Sequence, residues 1–247
     1  MVRHILPMIP EHILYCEPFA GGAAIFFAKQ RSEIEVLNDT NRELINFYRV
    51  LQSDFTSLEK EVKITLHSRD LHRKASVIYN NPDMFPELKR AWALWVLSTQ
   101  SFSGQLDSSW GYDVTRNTTP KRLENKKQAF TLDMAVRMQE VHLECADALY
   151  IIRSRDRKET FFYVDPPYFN SNMGHYDGYS KEDFEALLKL LSEIKGKFLL
   201  SSYPSGVLKD YVKAFKWQCK GIDGRVSVAA KNGKVKTKVE MLTWNYV

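Results

Sequence analysis

Cysteine is scarce in this 247-residue chain: Cys16, Cys145 and Cys219 lie far apart and form no CxxC pair. Such usage argues against a disulfide framework and against a zinc site, and it fits a reducing cytosol. No apolar run approaches the roughly 20 residues that would span a bilayer, so no membrane association is expected. The opening residues, Met1 to Glu11, carry charges and two prolines and make a poor secretion signal. The six histidines show no metal-ligand spacing, and no metal is expected. The one glycine-rich turn lacks both the GxGxxG spacing of dinucleotide folds and the GK[ST] ending of a P-loop. No internal repeat is visible.

The net charge of +5 is unevenly spread. From Gly206 to Val247 there are 9 Lys and Arg against 3 Asp and Glu, and the rest of the chain is close to neutral. A basic end can mark contact with a polyanion. Charge alone fits a solvated, lysine-rich hairpin equally well.

Hydrophobic patterning places short apolar runs at Ile13–Cys16 and Ile34–Leu37, each followed by a helical segment. The second of these helices begins at Asn41, with Leu44, Ile45, Tyr48 and Leu51 at helical spacing. This β-α-β-α order opens a parallel sheet. From about Asp54 to Asp133 the alternation stops. A helix is expected over Leu88–Thr99, with Trp92 and Trp95 in its core, and then a polar loop over Gln100–Lys127. Strands resume at His142–Cys145, Phe161–Val164 and Lys197–Ser201, with helices over Lys181–Ile194 and Leu208–Phe215. Two β-runs, Arg225–Ala230 and Val235–Tyr246, flank Asn232-Gly233, a hairpin signal. The pattern implies an α/β body from residues 1–53 and 134–247. An inserted helical subdomain with a binding loop occupies 54–133.

Three features carry chemistry. The turn Glu17-Pro18-Phe19-Ala20-Gly21-Gly22 lies between a strand and a helix, where glycines let the backbone approach a ligand and the helix start offers free N–H donors. Many such turns need glycine for steric reasons alone. Asp39 ends the second strand, where α/β sheets place ligands, and could accept both ribose hydroxyls of a nucleoside cofactor. Its other candidate role is to cap the helix near Asn41, and the strand-turn-helix-strand-acid order favours the cofactor. The third is Asp165-Pro166-Pro167-Tyr168 after an apolar strand. An adenine amino group is a poor nucleophile because its lone pair is delocalised into the ring. If a carboxylate oxygen and a fixed backbone carbonyl accept its two hydrogens, the lone pair can turn toward a sulfonium methyl. The prolines fix that carbonyl, and the tyrosine ring can stack on an extruded base.

With these residues the chain resembles the D12 class of DNA N6-adenine methyltransferases, the Dam-like enzymes. The matching stretches are Glu17 to Ala24, Leu37-Asn38-Asp39-Thr40-Asn41 with Glu43-Leu44-Ile45, Phe162 to Tyr168, and Asn245-Tyr246. The resemblance implies a Rossmann-like methyltransferase sheet, mostly parallel with a C-terminal antiparallel hairpin. Glu17, Pro18, Phe19, Ala20, Gly21, Gly22, Asp39 and Asp147 would bind S-adenosylmethionine, and Asp165 to Tyr168 would form the adenine site. Residues 54–133 would be the target-recognition domain. Ser101-Phe102-Ser103-Gly104 with Trp110-Gly111-Tyr112 looks like the family's loop ahead of its recognition hairpin. Two features depart from the pattern: relatives usually begin with a lysine- and glycine-rich segment, and Val2 to Pro7 read as following the place of that segment, while Ala148 stands where an aromatic often follows the acid.

The implied partner is duplex DNA containing the target adenine, with a cognate restriction enzyme as a further candidate, in a bacterial or phage-encoded setting. Arg116, Lys121, Arg122, Arg225, Lys234, Lys236 and Lys238 are the cations expected on DNA. Two other readings stay open. One keeps the enzyme class with RNA adenine or a protein amide as target. The other is a DNA-binding relic that has lost its cofactor.

Overall fold

The structure is a computed structural model that describes residues 1–169, 179–225 and 237–247. The chain divides into two units, one from Met1–Asn38 with Ala146–Val247 and one from Asp39–Cys145. Strands β1 (Leu14–Glu17) and β2 (Ile34–Asn38) come first, followed by β3 (His142–Glu144), β4 (Thr160–Val164), β5 (Lys197–Ser202), β6 (Gln218–Arg225) and β7 (Thr237–Trp244).

In the first unit the strands lie in the order β2-β1-β4-β5-β7-β6. Strands β2, β1, β4 and β5 run parallel, and β7 is antiparallel to both β5 and β6. This is the mostly parallel, Rossmann-like sheet with an antiparallel C-terminal hairpin. The strand β4, Thr160-Phe161-Phe162-Tyr163-Val164, is buried along its whole length, as a central parallel strand covered on both faces must be. The helix over Lys181–Leu191 packs Phe184, Leu187, Leu188 and Leu191 into that core, and its Ser180–Asp183 capping box satisfies its first turn.

Asn245 and Tyr246 tie the end of β7 to the start of β5 and to the N-terminal segment. Asn245 accepts the Phe198 N–H at 2.9 Å and donates to the Gly196 carbonyl at 3.0 Å, while the Tyr246 hydroxyl donates to the Met8 carbonyl at 2.6 Å.

The inserted unit is helical. Its helix over Arg42–Ser53 is N-capped by Asn41, whose side chain accepts from the Glu43 and Leu44 amides. The helix over Glu87–Gln100 buries Trp92 and Trp95, and its Arg90 makes a bidentate, buried pair with Glu43 at 2.6 and 2.8 Å.

One expectation needs correction. The polar stretch 100–127 is not all loop, because a helix covers Thr119–Gln128. Asp113 accepts from the Thr118 and Thr119 amides at its start, which holds the Asp113 carboxyl down to about 2. Pro120 belongs in the first turn of that helix, where its missing N–H costs nothing. Strand β6 covers Gln218–Arg225, where sequence reading expected no strand, and the expected Arg225–Ala230 run lies beyond Arg225 outside the described residues. Its Lys220, Gly221 and Asp223 have low strand propensity, and an edge strand tolerates them. The expected hairpin turn at Asn232-Gly233 lies outside the described residues.

Candidate functional site

The carboxyl ends of β1, β2 and β4 gather the chemistry-bearing residues of the first unit. After β1 the chain turns through Pro18–Ala23 and enters a helix over Ala24–Ala28. The turn is tied to β2 by the Ala20 amide, which donates to the Asn38 carbonyl at 2.8 Å. Gly21 takes φ +46°, a left-handed conformation that favours glycine. A Cβ at Gly21 or Gly22 would meet no atom within 4 Å, so the turn's outer side faces open space where a ligand can approach the backbone.

Glu17 and Phe19 stand differently from each other. Glu17 is 1% exposed, and its Oε1 accepts from the Tyr15 hydroxyl at 2.6 Å and from the Phe26 amide at 2.8 Å. It braces the turn from beneath. Burial pushes its carboxyl up to about 8, against the lowering effect of those two hydrogen bonds. Phe19 is half-buried, with its ring edge-on to Tyr179 at 6.3 Å between centroids.

Asn38, fully buried, was not among the residues expected to matter. Its Nδ2 donates to the Pro18 carbonyl at 2.8 Å and the Ala146 carbonyl at 3.0 Å, and its Oδ1 accepts from the Ala146 amide at 2.9 Å. One side chain therefore pins two turns, the one after β1 and the one leading to Asp147. Asp147 is exposed and N-caps the helix over Ala148–Arg155 by accepting from the Tyr150 amide at 2.9 Å. Asp39 is half-buried, and its Oδ1 accepts from the Asn41 amide at 2.8 Å, one step ahead of the cap that Asn41 itself supplies.

Beyond β4, Asp165 is the centre of a polar cluster. The Tyr163 hydroxyl lies 3.3 Å from its Oδ2 and the Tyr168 hydroxyl 3.0 Å from its Oδ1. The Tyr168 oxygen is also 2.6 Å from Glu240 Oε1 and 3.1 Å from Ser201 Oγ, and its ring leans on Tyr203 at 4.3 Å between centroids. Burial pushes the Asp165 carboxyl up to about 6, opposed by the Tyr168 hydrogen bond and reinforced by Glu240. Solvent still reaches Asp165. The shift therefore reflects crowding by protein around a wet carboxylate, and a base covering it would strengthen the effect. Burial likewise raises the Tyr163 and Tyr168 phenols, which stay protonated.

Sequence reading missed Tyr163, Ser201 and Glu240. Ser201 stands at the carboxyl end of β5, where ligands collect. Glu240 is an acid inside the apolar run Val239-Glu240-Met241-Leu242. Either position could have drawn notice on those grounds.

The expected DNA-contacting cations divide. Arg116, Lys121 and Arg122 are exposed in the inserted unit, the last two on the helix over Thr119–Gln128. In the same unit Trp110 is stacked between His67 at 4.6 Å and Tyr112 at 5.6 Å, with the Arg69 guanidinium 4.9 Å over its ring. Arg225 ends β6 and Lys238 lies near the start of β7. Lys234 and Lys236 lie outside the described residues.

Comparison with known proteins gives a family match to the D12 class N6 adenine-specific DNA methyltransferases over residues 1–218. The "DNA N-6-adenine-methyltransferase" of Escherichia phage P1 is 28% identical over 192 residues, 75% of this chain and 25% of that protein. The "Type II methyltransferase M1.LlaDCHI" of Lactococcus lactis subsp. cremoris is 27% identical over 231 residues, 85% of this chain and 79% of that one. The chain thus spans a quarter of the phage relative's length and about four-fifths of the lactococcal one's. Among solved structures, the precorrin-6y C5,15-methyltransferase of Geobacter metallireducens GS-15 aligns over 98% of this chain and 86% of that chain. That alignment has a TM-score of 0.39 and 7% identity.

Proposed function

The chain belongs to the D12 class of N6 adenine-specific DNA methyltransferases, and from that premise we propose that it methylates the exocyclic N6 of adenine in duplex DNA. The observation that carries this reading is the placing of Asp165, a solvent-reached carboxylate at the end of buried β4, beside the Tyr168 ring.

S-adenosylmethionine, when bound, supplies an electrophilic sulfonium methyl. The open side of the Pro18–Gly22 turn suits such a ligand, since no atom stands within 4 Å of either glycine's missing Cβ. Asp39 would accept the ribose hydroxyls and Asp147 would face the cofactor's adenine end, while Glu17 braces the turn from below. In the target site, Asp165 accepts one N6 hydrogen and a backbone carbonyl held by Pro166-Pro167 accepts the other. Tyr168 stacks on the extruded base. The inserted unit, with residues 54–133 as its recognition segment, reads the DNA sequence through Arg116, Lys121 and Arg122. The setting is the bacterial cytoplasm, and a restriction enzyme sharing the target site is a candidate partner. Among the described residues no helix is long and apolar enough to cross a membrane.

Expression in a methylation-free bacterial host, with N6-methyladenine mapped by long-read sequencing, tests the proposal directly. A consistent methylated motif is expected. Unmodified DNA from cells rich in folded protein would sink it.

Asp39→Ala is expected to weaken S-adenosylmethionine ten- to a hundredfold, about 1.5–3 kcal/mol for a lost charged contact. Because Asp39 also receives the Asn41 amide, the melting temperature should be read alongside calorimetric affinity. Unchanged affinity with a lower melting temperature would reduce Asp39 to a turn-supporting role.

The C-terminal lysines are proposed to lie along DNA phosphates, which give affinity without sequence information. Each neutralised phosphate contributes about 0.9 to the slope of log affinity against log salt. Replacing Lys234, Lys236 and Lys238 together with Gln should therefore flatten that slope by up to ~2–3 units. The methylated motif should stay the same. Parallel salt plots for mutant and wild type would return these lysines to a solvated surface.

A further inference from the structure

Glu240 is a second carboxylate beside Asp165. It lies on β7, and its Oε1 is 2.6 Å from the Tyr168 oxygen and 2.8 Å from Ser201 Oγ. With the Tyr168 contacts to Asp165 and Ser201 and the Tyr163 contact to Asp165, the cluster has five oxygen–oxygen contacts. Three hydroxyls, those of Tyr163, Tyr168 and Ser201, supply three protons.

A phenol carries one proton and cannot donate to two carboxylates at once. The shorter contact, at 2.6 Å, runs to Glu240, and the one to Asp165 is 3.0 Å. Ser201 donates to the same Glu240 oxygen. Glu240 therefore draws the Tyr168 proton more strongly than Asp165 does, and Asp165 Oδ1, with a second lone pair to offer, stays able to accept a further hydrogen.

Resting on the adenine-N6 reading above, we propose that Glu240 is a positioning residue: it holds the Tyr168 hydroxyl, fixes the ring that stacks on the base, and so keeps Asp165 Oδ1 open to an N–H of the target amine.

The same arrangement puts two negative charges around one hydroxyl. The groups facing Asp165 are Tyr163 from β4, Tyr168 from the following loop, Glu240 from β7 and Glu17 from β1. Crowding and burial raise the Asp165 carboxyl first, and the Glu240 charge adds to that rise. The direction of the pH effect follows. Above about 6 Asp165 is ionised and accepts the amine hydrogen. Below it the carboxyl carries its own proton, so methyl transfer falls as pH falls.

Two variants test the assignment. Glu240→Gln keeps an oxygen for the Tyr168 and Ser201 hydroxyls and removes the charge. The acid limb of single-turnover methylation is expected to move to lower pH by about half a unit to one unit. Carbon-13 NMR titration of the Asp165 carboxyl, made without DNA, should show the same shift. Glu240→Leu removes the acceptor and frees the ring, with a rate loss on the order of 10²-fold expected from misplacement and S-adenosylmethionine affinity unchanged. A Glu240→Gln protein whose acid limb and carboxyl titration both stay at wild-type values overturns the proposal. So does a folded Glu240→Leu protein that methylates at the wild-type rate. Failure of the wild type to methylate any adenine would strike the functional reading instead, and the carboxyl titration would still report whether Glu240 and Asp165 are coupled.

Discussion

Replacing Asp165 with alanine is expected to slow single-turnover methylation by about 10²–10³, the usual loss when one preorganised electrostatic partner of a transition state is removed. As positive charge grows on the attacking nitrogen, a carboxylate at its hydrogen becomes a stronger partner than it was for the neutral amine, so the loss falls on the rate. Binding of the methyl donor should be unchanged. The fold should also survive. Asp165 is exposed, and Tyr168 retains Glu240 and Ser201 as partners at 2.6 and 3.1 Å. Only the Tyr163 hydroxyl loses its 3.3 Å acceptor. Rapid-quench measurement with donor-saturated enzyme reads the chemical step directly. A mutant within a few-fold of wild type would remove Asp165 from the mechanism.

Asn38→Leu should produce the largest loss of stability, on the order of 3–5 kcal/mol. The substitution keeps the branched shape in a bulkier, apolar side chain and leaves three backbone groups, the buried Pro18 carbonyl and the part-buried Ala146 carbonyl and amide, without their present partner. Each buried orphan costs roughly 1–3 kcal/mol, less than additively where turns can relax. Whatever relaxes does so in the turns leading to Gly21 and Asp147, so affinity for S-adenosylmethionine should drop as well. Denaturant unfolding and calorimetry on the same preparation check both. A stability change under about 1 kcal/mol would show that the turns hold themselves, a result at odds with the penalty for unmade buried bonds.

These two residues also show what could be read from the chain beforehand. Asp165 was legible because its signal is local: apolar residues, then an acid, two prolines and an aromatic, all within one strand and its exit. The glycine turn and Asp39 were legible on the same terms. Asn38 was visible within the matched Leu37–Asn41 stretch, but its role was not, because its partner Ala146 is 108 residues away. Glu240 meets Tyr168 across 72 residues and Ser201 across 39. Periodicity reports which face of an element is apolar and says nothing about which strands become neighbours. The strand β6 over Gln218–Arg225 was not read for a related reason, since an edge strand need not be apolar. Pro120 lies in the stretch read as a loop, although a helix's first turn accommodates proline equally well. Asn245-Tyr246 stood out by resemblance alone, and its bonds to Phe198, Gly196 and Met8 now give it a physical cause.

The division of the first unit between Met1–Asn38 and Ala146–Val247 has a consequence for biosynthesis. Strand β1 pairs with β2 on one side and with β4 on the other, Leu14 against Thr160. A ribosome releases β1 and β2 early, and β4 follows only after roughly 120 further residues, a wait of about 6–24 s at ~5–20 residues per second. During that wait β1 has one unfilled edge, and Tyr15 and Cys16, both fully buried in the finished protein, lack the neighbour that covers them. Two strands alone are marginal at best, and an open apolar edge invites pairing with other chains. Crowded expression thus endangers the nascent chain more than the completed enzyme, and slower growth or a chaperone that shields the first strands should raise yield more than any substitution that stabilises the final fold.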